Sequence, residues 1–155
     1  MNSIEFLEIQ GVSFVGKSFI QNMNGSNTTP QEWEKRYSDG TIDYLQKLGG
    51  KLFDTAVLGW MGNYNEAARS FEYCIGVIVP DNIPINDDYK KIKLPDCLLA
   101  IGTIESGPKG AYFRNKELYE SKGYVIDYDK SFEIEYFEGT KENGIYKYCT
   151  PVKKA

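Results

Sequence analysis

The stretch that most constrains this chain is Phe132-Glu133-Ile134-Glu135-Tyr136-Phe137, close to the C-terminal end. Its residues alternate, so an extended chain puts Phe132, Ile134 and Tyr136 on one face and Glu133, Glu135 and Phe137 on the other. β-branched and aromatic types dominate and Gly139 follows as a break, which predicts a strand here. Two readings of the acidic face are open. Either both carboxylates are solvated on the outside of a one-sided sheet, or one stands in an aromatic-lined cavity, where it attracts a cation or handles a proton.

Composition supplies material for the second reading. The 155 residues suit one domain spanning 1–155, and they include 12 Tyr, 8 Phe and 2 Trp. Tyrosine brings apolar area and a hydroxyl together, as polar aromatic pockets require. A net charge of −4 argues against direct nucleic-acid binding and fits cationic ligands better than anionic ones. The chain has 0 His, which removes Ser-His-Asp and Cys-His catalysis together with the commonest transition-metal ligand. Cys74, Cys97 and Cys149 form no CxxC pair and read as buried reduced thiols. The glycines at 49–50 and 107–110 lack a dinucleotide or P-loop pattern. No metal and no cofactor is expected. The N-terminus has no signal-peptide pattern and no apolar run reaches membrane-spanning length, so a cytoplasmic protein without membrane contact is expected.

Taken in order, residues 4–10 and 12–21 are strand-like runs separated by Gly11, expected as an opening hairpin or one bent strand. Thr29 reads as a helix cap, with Pro30 in the first turn and Glu32 completing a Thr-x-x-Glu capping box. Trp33, Tyr37, Tyr44, Leu45 and Leu48 give that helix an apolar side, interrupted at Asp39-Gly40. Residues 55–64 and 71–80 predict a second hairpin, and 81–88 a connector between halves. A short strand at 89–94, an apolar strand at 97–105, a helix at 109–122 and a terminal hairpin of 132–138 with 144–152 complete the pattern. The expected fold class is therefore α+β. It comprises two pseudo-repeated β-α-β-β halves forming antiparallel sheet lobes, with a central ligand cleft.

These elements resemble those of the GyrI-like small-molecule-binding domain, which is also the effector-binding domain of AraC-type and MerR-type multidrug regulators. Four motifs carry the resemblance: Phe71-Glu72-Tyr73-Cys74-Ile75-Gly76-Val77, the strand running to Gly107-Pro108, Ile134-Glu135-Tyr136-Phe137-Glu138, and Tyr146-x-Tyr148-x-Thr150-Pro151-Val152. The resemblance implies a bacterial protein whose aromatic pocket surrounds one glutamate and takes small lipophilic, often cationic, aromatic ligands. Glu135 is the first choice for that glutamate and Glu133 the alternative. Tyr148, Tyr146, Tyr112, Tyr73 and Trp60 are further expected pocket residues, each with core packing as its competing role. In regulators this domain follows a helix-turn-helix segment, and no such segment precedes Ile4 here, so the chain by itself is not expected to be a transcription factor. The implied roles are multidrug sensing or sequestration, hydrolysis of electrophilic cyclopropane-containing natural products with Glu135 and Tyr148 as working residues, or inhibition of DNA gyrase.

Overall fold

The alternating apolar runs become strands and the amphipathic stretches become helices, in two units of the computed structural model, which describes residues 2–25, 27–53, 56–139 and 144–155. One unit is continuous, covering residues 11–94, and the other joins residues 1–10 to 95–155.

The continuous unit runs β2 (Val12–Asn22), α1 (Thr29–Ser38), α2 (Thr41–Gln46), β3 (Leu58–Asn65), β4 (Ser70–Pro80) and β5 (Lys90–Lys93). Its sheet has the order β3-β4-β2-β5, antiparallel throughout. β4 is the central apolar strand, and Cys74, Ile75, Val77, Ile78 and Val79 along it are fully buried. Ile75 and Tyr73 pack with Ile42 of α2, while Val77 and Val79 pack with Val15 and Leu45. Position 55, the expected start of β3, lies outside the described residues.

The expected capping box does not form. Thr28, not Thr29, holds the cap position, and no side chain of its own caps the helix. The first helical N–H, that of Thr29, donates to Asn27 Oδ1 at 3.1 Å, and the buried Gln21 amide ties down the threonines, its Oε1 accepting from Thr28 N at 3.2 Å, Thr28 Oγ1 at 3.2 Å and Thr29 Oγ1 at 3.1 Å. Glu32 pairs with Arg36 instead, at 3.6 Å. The helical stretch is divided where expected, because Gly40 has φ +84, a backbone state that an L side chain resists. The segment at 81–88 joins β4 to β5 inside one unit and does not connect two halves.

The second unit runs β1 (Ser3–Ile9), β6 (Cys97–Thr103), α3 (Ala111–Ser121), β7 (Tyr124–Ile126), β8 (Phe132–Glu138) and β9 (Ile145–Lys154). Its antiparallel order is β1-β6-β9-β8, with β7 also paired to β9. The opening hairpin is thereby corrected. β1 pairs with β6 from Ser3↔Thr103 to Ile9↔Cys97, whereas β2 pairs with β4 and β5. Both runs are strands, but Gly11 sits where the chain passes from one unit to the other. Each unit contains the strand-helix-strand-strand order. The expected three-stranded lobes are enlarged by β5 beside β2, and by β1 and β7 beside β6 and β9. The architecture is α+β with antiparallel sheet and three helices among the described residues.

Candidate functional site

The register of the second unit sets out the acidic face of β8 as a grid. Gly102 pairs with Tyr148, and Tyr148 with Glu135, so these three residues form one row across β6, β9 and β8. Ala100 pairs with Thr150 in the adjoining row, and Glu133 precedes Glu135 by two residues on the same face of β8. Phe137 and Tyr146 pair on the other side of the Glu135 row. Side chains directly opposite in a ladder share a face. Glu133, Glu135, Phe137, Tyr146, Tyr148 and Thr150 therefore stand together, and Phe132, Ile134 and Tyr136 point the other way into buried surroundings.

Helix α3 covers this face. Asn115, fully buried, donates through Nδ2 to Thr150 Oγ1 at 3.0 Å and to the Ala100 carbonyl at 3.3 Å. A carbonyl can only accept, so the amide is oriented with Oδ1 away from it. A Cβ at Gly102 would lie 2.2 Å from that Oδ1; glycine is what lets the helix come so close. Tyr119, one turn further along, packs on Ala100 and Val152. Tyr112 stands on the same helix near its start.

The two glutamates differ in their partners. Glu135 Oε1 accepts the Tyr146 hydroxyl at 2.5 Å, and the Tyr146 ring meets Phe137 edge-on with centroids 5.4 Å apart. Glu133 has a buried Oε2 with no hydrogen-bond partner. Burial and then the neighbouring Glu135 charge push its pKa up to about 8, so the neutral acid predominates at pH 7. Burial, followed by the Glu133 charge, also raises the Tyr112 hydroxyl. The Tyr119 hydroxyl is raised by burial first, with Tyr112, Glu120 and Glu133 adding to it. Tyr119 Oη and Asn115 Oδ1 are, like Glu133 Oε2, buried polar atoms without a partner.

Of the seven expected ligand residues, Glu133, Glu135, Tyr146 and Tyr148 thus share one sheet face, and Tyr112 belongs to the helix that covers it. Trp60 and Tyr73 lie in the other unit, on opposite faces of one hairpin. Trp60 pairs with Cys74 and so faces away from Tyr73. Tyr73 is buried beneath the helices, where its hydroxyl accepts from Trp33 Nε1 at 3.0 Å and its ring lies 5.3 Å from that of Phe19. The Trp60 indole N–H is buried without a partner. Sequence reasoning missed Asn115, Tyr119 and Thr150. The available signal was the spacing of Tyr112, Asn115 and Tyr119, which places all three along one helix face. Cys74 and Cys149 are buried free thiols, as expected, and Cys97 is a partly buried one. Among the described residues no group of His, Cys, Asp and Glu is placed to hold a metal ion, and no helix is long and apolar enough to cross a membrane.

No protein-family model matches this chain, and no curated protein matches it. Solved structures do. SAV2435, in a structure bound to tetraphenylphosphonium, matches with TM-score 0.67 at 19% identity, over 97% of this chain and 94% of its own. A putative bacterial transcription regulation protein from Staphylococcus aureus MU50 matches at 0.63 and 18% identity, over 97% and 98%. The EcmrR C-terminal domain matches at 0.57 and 17% identity, over 100% of this chain and 99% of that one. The chain shares the α+β, GyrI-like fold of these structures.

Proposed function

We propose that this chain binds small lipophilic cations of aromatic character, in sensing or sequestration, with Glu133 as the group that recognises charge. The observation carrying this reading is the buried, unpartnered Oε2 of Glu133 among tyrosines. A carboxyl group kept neutral by burial regains its charge when a cation arrives, and ring faces add about 0.5–2 kcal/mol each to a desolvated cation. Flat or propeller-shaped ligands gain from ring contact and few directional bonds are needed, which suits broad specificity. The binding of tetraphenylphosphonium by SAV2435 supports the same ligand class. Glu135, with Tyr146 already bonded to it, takes the supporting role.

The test is a titration of tetraphenylphosphonium and of a rhodamine against wild type, Glu133→Gln and Glu135→Gln. The expected outcome is a loss of affinity of at least about tenfold in Glu133→Gln, equivalent to one hydrogen-bonded charge contact, and a smaller loss in Glu135→Gln. Unchanged affinity in Glu133→Gln sinks the assignment. A hydrolase reading gains from the Glu133 pKa near 8, since a base poised near the working pH can take a proton from water. Turnover of an electrophilic cyclopropane substrate, abolished in Glu133→Gln, is the result that would favour it.

A further inference from the structure

Among the described residues, the groups placed around Glu133 are oxygen-bearing and uncharged, with one exception that is itself a carboxyl group. Glu135 lies two residues along the same strand face, Tyr112 and Tyr119 come from α3, and Thr150 lies on the same sheet face of β9. Tyr128 and Glu120 act on the two tyrosines from the segment after β7 and from α3. The Thr150 hydroxyl oxygen is taken by Asn115. The cation of β9, Lys147, points to the opposite face, where it pairs with Glu138 at 3.2 Å and Glu5 at 3.8 Å. The Tyr146 hydroxyl serves Glu135. Two carboxyl groups on one face with no cation between them favour keeping one proton, and the member without a donor is Glu133.

A neutral carboxylic acid donates a hydrogen bond, and a buried donor left without an acceptor is costly. Among the described residues no group accepts at Glu133 Oε2. We infer that Glu133 also binds uncharged aromatic ligands that carry one strong acceptor atom, such as a phosphine oxide or an aryl ketone, by donating its carboxyl hydrogen to that atom. This rests on the placement of the site proposed above and adds a second ligand class to it. The two classes call on opposite protonation states of one side chain, so pH sorts them.

Three aryl-matched probes separate the possibilities. Tetraphenylphosphonium carries charge and no acceptor, triphenylphosphine oxide carries a strong acceptor and no charge, and triphenylphosphine sulfide carries a weak acceptor. Dissociation constants are measured from about pH 5.5 to about pH 9.5 on the full chain. At low pH the oxide binds at least about tenfold more tightly than the sulfide, and above the Glu133 midpoint its affinity falls about tenfold per pH unit. Phosphonium affinity runs the other way, rising toward about pH 8 and then levelling. Glu133→Gln, neutral and still a donor through Nε2, keeps the oxide preference without pH dependence and loses the phosphonium. Glu133→Leu loses both preferences. If the oxide binds no better than the sulfide while the phosphonium needs Glu133, this inference is overturned and the cation reading stands. An oxide preference that needs Glu133, beside phosphonium binding that does not, upholds the inference and removes the cation reading. Indifference of all three probes to position 133 removes both.

Discussion

Glu72 and Glu133 are enclosed carboxyl groups on antiparallel strands, one in each unit, and the chain treats them in opposite ways. Glu72 is buried on β4, where Oε1 accepts from Asn63 Nδ2 at 2.7 Å and Oε2 from Lys90 Nζ, with Ser18 also bonding to it. Burial is the largest single influence on Glu72 and pushes its pKa up, yet the donors from Lys90, Asn63 and Ser18 together outweigh it and hold the group below the usual value. Glu133 is also penalised by burial, with a second carboxylate beside it, and its pKa climbs to about 8. The donors around Glu72 have no counterpart at Glu133 Oε2. A carboxyl group furnished with its own cation is part of the scaffold; one left without a partner is open to a molecule from outside.

Glu133→Gln gives the largest expected effect on stability. The folded state keeps a proton that the unfolded state releases, because the Glu133 pKa is raised from 4.5 to about 8. Wild-type stability from this group therefore falls as pH rises through that window and is level above it. At about pH 9 the variant should be more stable than wild type by on the order of 3–5 kcal/mol, with no difference below about pH 4. Equal urea midpoints at the higher pH would contradict the enclosure of an unpaired carboxylate.

Lys90→Met should move Glu72 toward the condition of Glu133. Removing one member of an enclosed ion pair costs about 3–5 kcal/mol when both are deeply buried. The Lys90 side chain is 47% exposed, so a cost of about 2 kcal/mol at pH 7 is expected. A lowered carboxylate pKa gives stability that is present above the unfolded value and is lost as pH falls through the folded one. The cost of Lys90→Met should accordingly shrink in acid, and guanidinium unfolding at about pH 7 and about pH 3 checks this. A cost that is constant with pH would mean that Lys90 contributes by packing alone.

Tyr146→Phe is the finest adjustment. It removes the hydroxyl that serves Glu135 and should cost about 1 kcal/mol at pH 7. Urea unfolding at about pH 7 checks this, and an unchanged midpoint would show that the hydroxyl adds nothing to stability.

Much of this arrangement was legible in local pattern. Strict alternation over Phe132–Glu138 identified the strand and placed both glutamates with Phe137 on one face. The strand-helix-strand-strand order also followed from pattern alone. What stayed hidden is whatever depends on a distant strand. Alternation marks Ser3–Ile9 as a strand but is silent on its partner, so proximity in sequence favoured β2 where the ladder runs to β6. The Thr28 and Thr29 hydroxyls are held by Gln21, a side chain outside the helix and its cap position, so a capping-box pattern could not reveal where they go. Trp60 and Tyr73 were both expected in one pocket, and only the pairing of Trp60 with Cys74 reveals that they stand on opposite faces of their hairpin. The difference in partners between Glu133 and Glu135 comes from Tyr146, whose reach to Glu135 is a fact of cross-strand register and not of composition.

The pairing of Ser3 with Thr103 also fixes an order of events when the chain is synthesised. β1 leaves the ribosome before the 11–94 unit, when its hydrogen-bonding partner does not yet exist. Every residue of the 11–94 unit is translated before β6 begins. At about 5–20 residues per second this leaves the N-terminal strand unpaired for several seconds, a long interval beside the microseconds in which a hairpin closes. The waiting edge is shielded by its own sequence, since Ser3, Glu5 and Glu8 are exposed polar residues interspersed among its apolar ones, and charge along an open edge discourages pairing with another chain. β1 is therefore secured later than the strands that follow it in the 11–94 unit, and the acidic-face unit is complete only once β9 has joined β6 and β8.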